Sequence, residues 1–338
     1  MKPVSLIAVA SQMPDTIIGS DFFPPATKPG LMFKPPTTRR HMRRDESAAD
    51  MLARAATKLI DRLNLTPACD IDILFTNVSV PDAPFTGCGA ELARIVGARP
   101  QWVLDLHNTG CVAFIYMMEL ARHLMQTTGA RTALLCTAQT AAGRIFADPS
   151  LREKPQSAVP GDGCGVGYMV AGEQSPILSV VHRAYGEYAG DMRLICDDDS
   201  RWWEKHQLPF YIDFSKKHVA QVIMRGNRMV PEMVFEACRQ AGVGAREIDL
   251  LVTNQPNPYF LRNWREALQL PQQAHPDTFD MYGNMFGAAI PITLEHAIEA
   301  GRLKSGALLA LAGFAHAGDY AAATLIRWQR DTHCSMTY

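Results

Sequence analysis

The 338-residue sequence contains no run of eighteen apolar residues, so no membrane-spanning helix is expected. It has eight cysteines, at positions 69, 88, 111, 136, 164, 196, 238 and 334, but no CxxC pair. That scatter argues against a zinc site or a disulfide framework, and no metal is expected. Several of these cysteines lie in apolar runs, where a reduced thiol packs as a small hydrophobe, and a reducing cytoplasm is the expected compartment. An excess of one charge is also missing: 33 Lys and Arg stand against 34 Asp and Glu. A near-neutral chain gives no reason to expect nucleic acid or an anionic membrane as partner. The one basic cluster is Arg39, Arg40, Arg43 and Arg44, either a solvated face or a contact for phosphates or an acidic carrier. The opening MKPVSLIAVA lacks a cleavage-site pattern and reads as a first buried strand. No short-period repeat is present.

What is present is an alternation of strand and helix patterns. Asp45 or Ser47 can cap a helix carrying Met51, Leu52, Ala55, Leu59, Ile60 and Leu63 at helical spacing. Strands are expected over 71–78, 101–106 and 133–138, with a helix over 112–126. GCGVGYMVA and ILSVVHRA read as two consecutive strands. The second half repeats the style, with a helix over 217–241 that Pro231 should kink or break. There follow a strand over 248–253, helices over 258–270 and 285–300, and closing strands over 307–313 and 322–328. Such alternation implies mainly parallel sheets covered by helices. Residues 186–216, with DDDSRWWEK, interrupt the rhythm as an insertion or lid.

The segment LDLHNTGCVAF, 104–114, sets a thiol where a strand ends and a helix begins. Reactive groups of parallel α/β folds collect at such junctions. The helix dipole there should lower the Cys111 pKa, and backbone N–H groups of the turn could hold an oxyanion. A buried structural cysteine is the alternative on local pattern alone.

The ordered set DLHNTGCVAF, GDGCGVGY (161–168), NQPN (254–257), YGN (282–284) and GFAHAGDYAAATLIRW (313–328) resembles β-ketoacyl-ACP synthase III and its thiolase-fold relatives over nearly the whole chain. TTRRHMRRDES (37–47) is similar to the family's early arginine-bearing loop, which makes Arg40 a candidate substrate contact. The resemblance implies an α/β thiolase fold: two similar halves, 1–172 and 173–338, in a five-layered α-β-α-β-α core, and a homodimer. It places the nucleophile on Cys111, an oxyanion-binding backbone N–H on Gly318, an active-site asparagine on Asn284, and the family's histidine position on Asn254. Asn257 falls in the same motif as a substrate contact. Phe85 matches the residue that crosses the dimer interface and closes the acyl tunnel, or is a plain core aromatic. Trp202 and Trp203 line an acceptor or pantetheine groove, or pack the lid.

Three departures stand out: Asn254 replaces histidine, Tyr282 replaces the histidine of HGN, and Asp105 lies one residue further from the cysteine. An amide donates a hydrogen bond but takes no proton. Self-acylation of Cys111 survives that change, whereas decarboxylative carbon–carbon bond formation should weaken. The expectation is an acyltransferase passing an acyl group from CoA or an acyl carrier protein, through a Cys111 thioester, to a heteroatom or carbon acceptor on a small molecule, with secondary metabolism as the setting. Acyl-CoA or the carrier's phosphopantetheine is then substrate, and no cofactor is expected. The alternatives are a true condensing enzyme using malonyl-thioester, and a catalytically silent subunit of a heterodimer. His107 and His316 are candidate general bases by motif proximity, or structural loop histidines. Asn254 and Asn284 could equally cap the helices that follow them.

Overall fold

The computed structural model describes residues 2–24, 33–83, 85–107, 109–205, 208–214 and 218–329. Cys334 and the expected helix start at Lys217 lie outside them. The seven described cysteines are all free thiols.

Two sheets organise the chain. The first is built from β1 (Val4–Gln12), β2 (Ile73–Val78), β3 (Trp102–Asp105), β4 (Thr132–Gln139) and β5 (Gly163–Ala171), in the order β1-β5-β4-β2-β3. Here β2 runs parallel to β3 and β4, while β5 is antiparallel to both its neighbours. The second holds β6 (Ile177–Ala184), β7 (Leu250–Thr253), β8 (Leu308–Ala315) and β9 (Tyr320–Arg327), in the order β7-β8-β9-β6. Only β7 and β8 are parallel in it. The chain passes from one sheet to the other between Ala171 and Ile177.

The helices longer than one turn are α1 (Ala48–Leu63), α2 (Gly89–Val96), α3 (Ala113–Thr127), α4 (Val219–Ala241), α5 (Pro258–Ala267) and α6 (Ala289–Glu299). They sort into three layers by what they bury. One continuous core joins α3 and α6 to the facing sides of both sheets: Phe114, Met117 and Ile290 pack among Ile73, Phe75, Val252 and Leu311. A second joins α1 and α2 to the outer face of the first sheet, through Leu52, Leu59, Leu74 and Val166. A third joins α4 and α5 to the outer face of the second, through Met229, Trp264, Leu251 and Ala310. Neighbouring residues of one strand thus serve opposite cores, Ile73 inward and Leu74 outward, as the period-two pleat requires. Strands buried on both faces explain the unbroken apolar runs in the sequence. The outcome is the five-layered α-β-α-β-α arrangement of the thiolase fold.

Local signals account for most boundaries. Ser47 Oγ accepts from the backbone N–H of Asp50, and Asn64 ends α1 in the left-handed region (φ 52°). Pro231 neither breaks nor ends α4, which runs through it; it is buried among Met229, Val230 and Met233. The helix expected from Met285 begins at Ala289, because Phe286 turns left-handed (φ 44°) and Phe286–Ala288 form a tight 3-10 turn. The interrupting segment carries a two-stranded hairpin, Met192–Ile195 with Tyr211–Phe214. No helix among the described residues is long and apolar enough to cross a membrane.

Candidate active site

The C-terminal ends of β2, β4, β7 and β8 converge with the N-terminus of α3 on one cavity of about 350 Å3. Cys111 lies in its wall, in the turn Gly110–Val112 that feeds α3. The turn is formed by two successive residues with positive φ, Thr109 at 68° and Gly110 at 40°. Threonine, being β-branched, rarely adopts that conformation, so the surrounding packing holds it there. Gly287 permits the close approach that locks the turn: an added Cβ there would lie 2.7 Å from the Gly110 carbonyl oxygen.

The Cys111 side chain is buried. Burial pushes its thiol up to about 12; hydrogen bonds from the Asn254 side chain and the His316 backbone N–H pull the other way, and the Asp319 carboxylate adds to the rise. The low pKa expected from the helix dipole is therefore not met in this apolar wall, where desolvation of the charged sulfur outweighs it. Burial thus favours the neutral thiol over the thiolate.

Asn254 follows the end of β7 and is 1% exposed. Its Nδ2 donates to the Phe314 carbonyl (3.1 Å), while its Oδ1 has no hydrogen-bond partner. It does not cap α5. Asn257 does, accepting from the Phe260 N–H at 3.0 Å. Asn257 lines the cavity too, so the cap holds it in place there. Asn284 also lines the cavity, its Oδ1 accepting from the Phe286 N–H (3.0 Å) and its backbone bonded to Val159 and Gly161. The structure thus brings Cys111, Asn254, Asn257 and Asn284 together.

Four other expected residues stand elsewhere. The Gly318 N–H is used inside its own turn, donating to the Ala315 carbonyl at 2.9 Å, and the residue packs toward Met229 and Arg225. It does not line the cavity; the residue of the same loop that does is His316. The closing loop is tighter at that point than the motif suggested. Arg40 lies on the short strand Thr38–His41, where Nη1 donates to the carbonyls of Pro14 and Asp15. Trp203 is 66% exposed and stacks edge-on against Trp202, away from the cavity. The interrupting segment reaches the cavity through its hairpin instead, with Met192, Leu194, Ile212 and Phe214. Phe85 is wholly exposed, off the cavity, on the loop before α2.

One residue was missed. Asp319 accepts from His316 Nδ1 at 2.9–3.0 Å. The signal was the three-residue spacing of His316 and Asp319 in GFAHAGDY. His107 lines the same cavity, exposed at its edge.

Two layered sheets with a cysteine turn buried between them define a thiolase-fold acyltransferase. The family described as 3-oxoacyl-[acyl-carrier-protein] synthase III matches residues 104–186, and its C-terminal part matches 238–328. The β-ketoacyl-ACP synthase III of Gloeobacter violaceus is 26% identical over 302 residues, covering 87% of each chain. That of Campylobacter jejuni subsp. doylei is 29% identical over 280 residues, 82% of each. The crystal structure of the Aquifex aeolicus VF5 synthase III superimposes with a TM-score of 0.83 at 21% identity, over 96% of this chain and all of that one. The chain belongs to the β-ketoacyl-ACP synthase III family.

Proposed function

We propose that this enzyme takes an acyl group from CoA or from the phosphopantetheine arm of an acyl carrier protein onto Cys111, and passes it to an alcohol, amine or thiol acceptor in secondary metabolism. The observation that carries the reading is the buried Asn254 amide lining the cavity together with Cys111, at the position where the resemblance places the family's histidine. At that position an amide stabilises charge only by donating a hydrogen bond; it cannot carry the positive charge that an imidazole offers a malonyl enolate. Loss of one positioned stabiliser commonly costs about 10²–10³ in rate, roughly 2.7–4 kcal/mol. Forming the Cys111 thioester passes through a tetrahedral oxyanion rather than that enolate, so it does not depend on the missing imidazole. The cavity's apolar side, with Ile145, Phe146, Phe260 and Phe314, suits an acyl chain, and no cofactor is needed.

A second reading, decarboxylative condensation as in the relatives' names, is favoured by Asn254 and Asn284 both lining the cavity, two amides able to share the enolate oxygen. The two part when Cys111 is first loaded and malonyl-CoA or malonyl-carrier is then supplied. Transfer to heteroatoms predicts little CO2 and no β-keto product. Brisk release of both overturns it in favour of condensation.

A further inference from the structure

A buried thiol at ordinary pH needs a proton acceptor, and Asn254 is not one. The turn that joins β8 to β9 supplies a different group. His316 lies in that turn with φ 50°, a conformation uncommon outside glycine. Its Nδ1 is 2.9–3.0 Å from both oxygens of Asp319, whose side chain is 13% exposed. A carboxylate only accepts, so Nδ1 carries the hydrogen, and in the neutral ring Nε2 keeps its lone pair. Nε2 is turned to the cysteine turn: a Cβ added at Gly110 would stand 2.7 Å from it. No described residue hydrogen-bonds to Nε2, and His316 lines the cavity beside Cys111. A base near a nucleophile, with its ring held by a third group, is the arrangement that activates a weak nucleophile.

We propose that His316 Nε2 is the proton acceptor of the acyl transfer and that Asp319 is its positioning residue. This rests on the acyltransferase reading above. In the first half-reaction the Cys111 S–H proton moves to Nε2 as sulfur attacks the donor carbonyl. The new S–C bond forms, the donor's S–C bond breaks, and the proton goes to the departing pantetheine thiolate. In the second half Nε2 takes the proton of the acceptor's O–H or N–H. The acceptor's bond to the acyl carbon forms, the Cys111 S–C bond breaks, and the proton returns to the cysteine. The other titratable groups facing the imidazole are Tyr320, with its ring 6.0 Å away, Tyr116 behind Tyr320, and His107 across the cavity.

The test is the pH profile of Cys111 alkylation by iodoacetamide, read by peptide mass in the intact chain. The wild type should be alkylated at Cys111 near neutral pH, along a limb that follows an imidazole rather than a buried thiol. His316→Gly suits the positive φ and should fold. It should lose at least tenfold in rate at pH 7, and added imidazole should restore part of it. Asp319→Asn, which keeps the ring but frees its tautomer, should also slow and shift the limb. Identical profiles in wild type and His316→Gly, or no response to imidazole, would overturn the proposal. Failure of every acyl-CoA to load the wild type, with the imidazole limb intact, would refute the acyltransferase reading and leave the His316–Asp319 pair standing.

Discussion

Gly110 shows how one missing side chain can hold a site together. Its φ of 40° and the 2.7 Å between an added Cβ and His316 Nε2 leave room for hydrogen alone. Gly110→Ala should therefore keep the fold, since the imidazole tip can swing aside, but cut acyl transfer by about 10²-fold, the order a positioned base contributes. Steady-state transfer rates beside a thermal melt check this; an unchanged rate would show that the ring does not need its place on the turn. Asn254→His makes a complementary prediction. It should raise condensation with malonyl donors, measured as CO2 release. The imidazole, however, must enter a site where Asn254 Oδ1 already crowds Gly313, at 2.7 Å from that residue's Cβ position. No gain would mean that Asn254 does not serve the position the family gives to histidine. At this scale the sequence was readable where chemistry depends on residue type, as at Cys111, Asn254 and Asn284. It was not readable where function depends on which backbone N–H turns inward. Gly318 was the donor that the resemblance placed there, yet its N–H closes its own turn, and His316 is the residue of that loop that lines the cavity.

At the scale of elements, the strand–helix order was legible because the central strands are buried on both faces and most helices bury one stripe or are sandwiched whole. Tight turns were less legible: Asn284 Oδ1 does accept from the Phe286 N–H, a local bond of the capping kind, but the Phe286–Ala288 turn also rests on the close approach of Gly287 to the Gly110 carbonyl, which no local pattern encodes. Asp162 ties distant elements to the cavity. Its carboxylate accepts from the backbone N–H groups of Met42 (2.8 Å), Ala142 (2.8 Å) and Gly143 (2.7 Å), joining the strand Thr38–His41 to the π-helical segment Ala142–Phe146. Asp162→Ala should leave three buried donors unpaired and lower unfolding free energy by about 3 kcal/mol or more, as followed by denaturant titration. A change under about 1 kcal/mol would mean water replaces the carboxylate. The edge strand β3 exposes both Trp102 and Val103, at 36% and 39%, and Phe85 stands bare nearby in the chain. An uncovered apolar edge strand invites pairing with another copy. Sedimentation at micromolar concentration should therefore show a dimer that Val103→Lys weakens; a wild-type monomer would contradict this.

Across the whole molecule, the two sheets sandwich α3 and α6, so the parts of the site arrive from far apart in the chain. Cys111 comes from the first half, and Asn254, Asn284 and His316 from the second. Each motif alone was weak; their order along the chain carried the resemblance, and with it the fold. The same architecture buries the thiol among apolar side chains, which favours its neutral form. The measurement that bears most directly on this account is the intact mass of the protein after incubation with a panel of acyl-CoAs and acyl-carrier thioesters. The account predicts a single acyl adduct, located by peptide mapping on the segment bearing Cys111 and absent in Cys111→Ala. No adduct from any donor, or an adduct that persists in Cys111→Ala, would contradict it.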